Sequence, residues 1–122
     1  MSYISSRGAS FKCAFTGLFI AFRSEPNIRI HCIAAVIAVL CGVALNVSST
    51  EWIFIAIAIG SVFTAEFFNS SIEKLVDLVS PERHEKAGII KDIAAGAVLI
   101  AAITALIIGC IIFIPKLLQL II

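Results

Sequence analysis

Charged side chains are scarce in this chain, at 14% of residues, and no basic run or repeated Arg/aromatic pattern collects them. That excludes a partner nucleic acid tracked along a groove, which needs such a footprint. A Walker-type glycine-rich loop and a kinase catalytic-loop motif are missing too, so neither soluble phosphoryl-transfer scaffold is present. The four cysteines, Cys13, Cys32, Cys41 and Cys110, make no Cys-x-x-Cys pair, and neither His31 nor His84 stands at ligand spacing from them. They read as small apolar packing residues rather than as a disulfide or a metal site.

Apolar residues fill the remainder. Hydrophobic side chains make up 61% of the 122 residues and the mean hydropathy is +1.11, well above a soluble composition. In water a fold of this size would expose much of that surface, whereas a bilayer requires it. One membrane domain over residues 1–122 is the economical reading. Residues 14–22 could pass for the apolar region of a signal peptide behind Arg7 and Lys12, but Arg23-Ser24-Glu25-Pro26 follows where a small-residue cleavage site belongs. The segment therefore reads as part of the folded chain.

Three apolar stretches, 30–47, 52–72 and 89–114, are long enough to cross about 30 Å of hydrocarbon. Inside lipid each must satisfy its own backbone, so each is expected to be a helix. The connection 46–51 is short, with Thr50 expected as N-cap and Trp52 as an interfacial aromatic anchor. Ser80-Pro81-Glu82 reads as N-cap, first helical residue and acidic first turn of the last helix, and Pro115 as its end or a kink. Ahead of the first span, Phe11, Phe15, Leu18 and Phe22 recur on one face of a stretch, 9–24, that reads as an amphipathic helix in the interface. Pro26 should end it near Ser24 and open the next helix, which leaves Glu25 at the junction. The expected fold is thus an all-α membrane protein of three transmembrane helices plus an N-terminal surface helix.

The polar residues need individual reasons. Glu66, Asn69, Glu73 and Asp77 are spaced i, i+3, i+7, i+11, which places all four on one face of a helix with about 3.6 residues per turn. A carboxylate as deep as Glu66 costs about 2.5 to 3.5 kcal/mol on insertion scales, so it is a candidate for function. Interhelical hydrogen bonding is the plainer reading, and for Asn69 alone it weighs equally. Glu66 with Glu73 favours function, because repelling carboxylates about two turns apart are poor glue and a good cation site. Magnesium takes one or two protein carboxylates together with substrate phosphates, and Glu73 and Glu25 can supply them. Spacing alone reads Glu25 as a solvated residue at a helix start. Lys91-Asp92 opens the third span before a small-residue run, 94–97, that allows close helix approach. Lys91 is either a phosphate contact or a snorkelling interfacial lysine.

Residues 66–99, EFFNSSIEKLVDLVSPERHEKAGIIKDIAAGAVL, resemble the signature of the small prokaryotic diacylglycerol kinase family, which includes the undecaprenol kinases. The likeness extends upstream through Phe11-Lys12-Cys13-Ala14-Phe15-Thr16-Gly17 and Glu25-Pro26-Asn27-Ile28-Arg29-Ile30-His31, covering roughly residues 10–105. The resemblance implies a homotrimer with active sites shared between subunits, moving the γ-phosphoryl of MgATP to the hydroxyl of a lipid alcohol, diacylglycerol or undecaprenol. By position it implies Glu66 as general base, Asn69 as organiser of the site, and Glu25 and Glu73 as magnesium ligands. Lys91 and Asp92, with Glu82, Arg83 and His84, look like nucleotide contacts. Lipid contacts would come from the surface helix, the junction that includes Asn27, and Ala95. Cys13 departs from members with an aromatic or amide nucleotide contact there, and Arg7 only loosely matches the family's N-terminal basic residue. The Glu25-x-Asn27-x-x-x-His31 pattern is closer to the undecaprenol-kinase branch.

Two other classes compete: a small proton-coupled transporter, suggested by an intramembrane glutamate, and a structural subunit of a larger complex. Against the transporter, the acidic stripe lies toward one membrane face and three spans give no inverted repeat. Orientation follows from Arg7, Lys12, Arg23 and Arg29 before the first span and Lys74, Arg83, Lys86 and Lys91 between the second and third. The positive-inside rule puts these on the cytoplasmic side of a bacterial inner membrane and the C-terminus outside. A reporter joined before Met1 should therefore report from the cytoplasm and one joined after Ile122 from outside. Matching locations for both would refute three spans.

Overall fold

A computed structural model describes the backbone of residues 3–122, with side chains from residue 6 onward. The chain forms α1 (Tyr3–Ser24), α2 (Pro26–Ala44), α3 (Ser49–Val79) and α4 (Glu85–Ile121). The last three are long and apolar enough to span a membrane. At about 1.5 Å per residue, the 31 residues of α3 and the 37 of α4 outrun the hydrocarbon, so both carry polar ends past it. This is why the helices exceed the apolar stretches 52–72 and 89–114, and why α1 starts before residue 9. A helix continues beyond the lipid as long as nothing breaks it.

The helix ends show what does break it. α2 closes with Asn46 in the left-handed region (φ 49), while the Val47 N–H bonds the Gly42 carbonyl at 3.1 Å and the Asn46 N–H bonds Val43 at 3.3 Å. These are the two bonds of a Schellman stop, and Asn is one of the few side chains that tolerates its left-handed residue. The N-cap of α3 is Ser48, not Thr50. Its hydroxyl accepts from the Glu51 N–H at 3.2 Å, and the Glu51 carboxylate accepts from the Ser48 N–H at 2.6 Å. Only Ser48 stands three residues before an acid, so it alone can close this reciprocal box.

Ser80 likewise is not the N-cap of the last helix. Its N–H bonds the Val76 carbonyl at 2.7 Å and so finishes α3. The helix restarts after Pro81 with His84 as N-cap, whose Nδ1 accepts from the Lys86 N–H at 3.2 Å. Pro115 does not end α4. It lacks one N–H, but the chain stays helical to Ile121, and neighbouring Lys116 bonds Glu51 across the helices at 3.1 Å.

Short connections make α2, α3 and α4 antiparallel neighbours, with α3 on α4 the most extensive packing. At the end away from the acidic stripe, Val47, Ile55 and Ile112 are buried together, with Trp52, Ile59, Ile108 and Phe113 around them. Trp52 therefore packs inward beside Gly42, not only at an interface. Wide apolar faces on α1, α2 and α4 stay uncovered by the chain, including Phe11, Phe15, Ile33, Leu40, Ile93 and Leu106. The four cysteines are free thiols, and Cys13, Cys41 and Cys110 lie exposed rather than packed within this chain.

Gly42 is required by close approach: a Cβ there would stand 2.6 Å from the Trp52 ring. Gly42→Ala should destabilise the α2–α3 hairpin by about 1–3 kcal/mol, the usual penalty of overpacking. Adding Trp52→Phe, which removes the clashing ring, should recover part of that loss in a reversible unfolding measurement in detergent. No loss in the single variant would refute the contact.

Candidate active site

The face of α3 that carries Glu66, Asn69, Glu73 and Asp77 is graded by depth. Glu66 is 3% exposed and Asn69 8%, Glu73 is half-buried, and Asp77 is open to the surface. The spacing puts them in line, and α2 reaches the deeper end through His31.

A carboxylate buried to this degree requires a polar partner. α2 supplies it. His31 Nε2 lies 3.0 Å from Glu66 Oε1, so an ionised Glu66 accepts from the Nε2–H. The imidazole also walls an apolar cavity of about 400 Å³ lined by Ala34, Ala38, Val62, Ala102 and Ala105, among others. One turn along α3, Asn69 Nδ2 donates to Glu73 Oε1 at 3.4 Å. Asn69 Oδ1 is buried without a hydrogen-bond partner among the described residues.

Glu25 stands in extended conformation between α1 and α2, where Pro26 opens the second helix. Its carboxylate pairs with Lys74 and accepts from the Ser24 hydroxyl at 3.1 Å. The bond from Lys74 holds the Glu25 carboxyl below its ordinary range, partly opposed by desolvation. This ion pair fastens the α1–α2 junction to α3, beside Glu73 in sequence. Across the same boundary, Gly17, Leu18 and Ala21 of α1 face Phe67, Ser70 and Lys74 over a cleft of about 300 Å³.

Toward the membrane surface, Asp77, Glu82, Arg83, His84 and Lys91 line a second cavity of about 270 Å³. The connection between α3 and α4 brings Glu82, Arg83 and His84 to it, and the first turns of α4 add Lys91, which pairs with Asp77. Its mixed charge suits a phosphate-bearing ligand better than an apolar one. Asn27, Asp92 and Ala95 are exposed on the chain and join none of these groups.

No cluster of three or more His, Cys, Asp or Glu side chains forms a ready metal site among the described residues. The donors present are hard oxygens: the carboxylates of Glu25 and Glu73 and the partnerless Asn69 Oδ1 beside Glu73. They fit a magnesium ion that takes its remaining ligands from phosphate and water.

Two partners are not evident from the sequence: it presents Lys74 as an orientation signal, and His31 as a residue without ligand spacing to the cysteines and as part of a family pattern. The signal for His31 was there, since it is the one ionisable side chain within 30–47 other than cysteine and a buried glutamate needed a partner.

The sequence model of the prokaryotic diacylglycerol kinase family matches residues 12–113. Undecaprenol kinase of Bacillus subtilis is 41% identical over 108 residues, 88% of each chain. Diacylglycerol kinase of Synechocystis is 38% identical over 112 residues, 91% of this chain and 64% of that protein. Diacylglycerol kinase of Escherichia coli is 35% identical over 108 residues, 88% of this chain and 85% of that one.

The Glu25–Lys74 pair gives a pH dependence of definite sign. A carboxyl whose folded pKa is depressed contributes stability above its unfolded value, here 4.5, and loses it as pH falls through the folded value. Without divalent cations, a carbonyl-carbon NMR titration should place Glu25 below that value, and Lys74→Met should move its midpoint upward. An unmoved midpoint would overturn the pairing.

Proposed function

The chain belongs to the prokaryotic diacylglycerol kinase family and is a lipid kinase; on that premise we propose that it transfers the γ-phosphoryl of MgATP to the hydroxyl of a membrane lipid alcohol. The carrying observation is the graded stripe: a buried carboxylate, Glu66, on the same helix face as Asp77, which lines the charged cavity with Arg83, His84 and Lys91. Glu66 and Asp77 are separated by about 16 Å along the helix, at the usual rise per residue. A nucleotide held at the outer end therefore presents its phosphates along the stripe, toward the lipid side.

In this reading Glu82, Arg83, His84, Lys91 and Asp92 bind the nucleotide, with Lys91 exchanging its Asp77 partner for phosphate. Glu25 and Glu73 hold magnesium, which neutralises charge on the phosphates when bound. Asn69 keeps Glu73 oriented through its amide. Glu66 accepts the proton of the lipid hydroxyl while that oxygen bonds to the γ-phosphorus and ADP departs, so the base does little covalent work and positioning dominates. Asn27, Ala95 and the apolar face of α1 contact the lipid.

The uncovered apolar faces of α2 and α4 and the small-residue run 94–97 support a homotrimer with sites shared between subunits. Phe11, Phe15, Leu18 and Phe22 support α1 as a helix lying in the cytoplasmic interface. Identity to relatives named for both lipids leaves diacylglycerol and undecaprenol as the two substrates to test.

Purified protein in mixed micelles with labelled MgATP should label at least one of these alcohols, and ATP consumption should depend on added lipid. Lipid-independent turnover, or none, would overturn the reading. Glu66→Gln keeps shape and hydrogen bonding but removes the base, so turnover should fall about 10²-fold or more while MgATP binding survives. Glu73→Gln should instead weaken magnesium-dependent nucleotide binding, with partial recovery at raised magnesium or manganese. Near-normal turnover in an assembled Glu66→Gln protein would sink the general-base assignment.

A further inference from the structure

We propose that His31 is the positioning residue of the reaction, holding the Glu66 carboxylate in the one orientation from which it can take the hydroxyl proton. The inference rests on the reading of Glu66 as general base. It begins from burial: Glu66 is 3% exposed, so bulk water does not orient its carboxylate, and the imidazole of His31 meets its Oε1 at 3.0 Å. A free glutamate side chain turns about three torsions, whereas a base must sit within hydrogen-bond reach of its proton.

His31 is placed to remove that freedom. It lies in the second turn of α2, so a helix and not a loop sets the direction of its ring. Its bond to Oε1 comes from α2, across the helix packing, and leaves Oε2 to receive the proton. A donor fixed to a buried acceptor in low dielectric orients more strongly than the same bond in water. The ring also walls the apolar cavity between α2, α3 and α4. Its size therefore matters to packing as well as its nitrogen to bonding, and the two roles have to be separated by substitution.

Two substitutions separate them. His31→Phe keeps a ring in the same space and removes the Nε2–H, whereas His31→Gln returns an N–H donor at similar reach. Turnover should fall about 10-fold or more in His31→Phe, a loss typical of an oriented catalytic bond, with KM for MgATP within about twofold. His31→Gln should stay within about threefold of the unaltered protein, since its amide replaces the bond. In the Glu66→Gln background, His31→Phe should add less than about a twofold further loss, because a residue that acts through the base has nothing left to position.

Each variant is checked for assembly by its mass in detergent. Equal loss in the Phe and Gln variants, no loss in either, or a loss that multiplies with that of Glu66→Gln would overturn the proposal. A Glu66→Gln protein with full turnover would remove the base and His31's role together. A low Glu66→Gln beside a fully active His31→Phe would remove His31 alone.

Discussion

A carboxylate kept out of water inside a membrane helix bundle is the constraint around which this molecule is arranged. Glu66 cannot sit at 3% exposure beside only Val62 and Phe63. The hydration it loses has to be offset by a fixed donor, and in lipid that donor comes from another helix. The His31 bond therefore couples chemistry to packing: α2 must lie against α3 in one register for the imidazole to reach. The Schellman stop at Asn46, the capping box at Ser48 and Glu51, and the Gly42–Trp52 contact set that register from the far end of the hairpin.

The outer boundary is organised differently. Glu25–Lys74 and Asp77–Lys91 are ion pairs with exposed members, where water screens the attraction and each contributes little stability. In the proposed reaction their use is exchange. A pair that gains little by staying closed can give up one partner to a phosphate or a cation at small cost, which a buried pair such as His31–Glu66 cannot do. Depth along α3 thus separates a buried, hydrogen-bonded carboxylate from ion pairs with exposed members, and about 1.5 Å of rise per residue converts sequence spacing into that gradient.

Much of this could be read from the amino acids alone, and the parts that could not have a common cause. The three apolar stretches, the acidic stripe and the break at Pro26 depend on local periodicity, which a sequence displays directly. The family likeness, over residues 66–99 for Asn69 and over the upstream segment 25–31 for Glu25, implies roles that spacing leaves open. The caps differ from the sequence reading, Ser48 in place of Thr50 and His84 in place of Ser80. Glu51 decides the first, because its reciprocal bonds go to Ser48, and the Ser80 N–H bond to Val76 decides the second by ending α3 at that residue. Lys74 and His31 were invisible as partners because their contacts cross between helices, and pairing over 49 and 35 positions leaves no period in the chain.

The same division explains how so short a chain can house a kinase without the loops of a soluble one. A soluble phosphoryl-transfer site wraps the phosphates in backbone N–H groups, but a membrane helix has committed its N–H groups to itself and offers them only at its start. On the proposed reading, binding falls to side chains at helix ends and to the connection 80–84, around the cavity that Arg83, His84 and Lys91 line. The acceptor lipid brings its own anchoring, since the bilayer confines it to the plane where Glu66 lies. What the proposed reaction then asks of the protein is to orient one base, neutralise charge and exclude water, and a stripe on one helix braced by its neighbours suits that work.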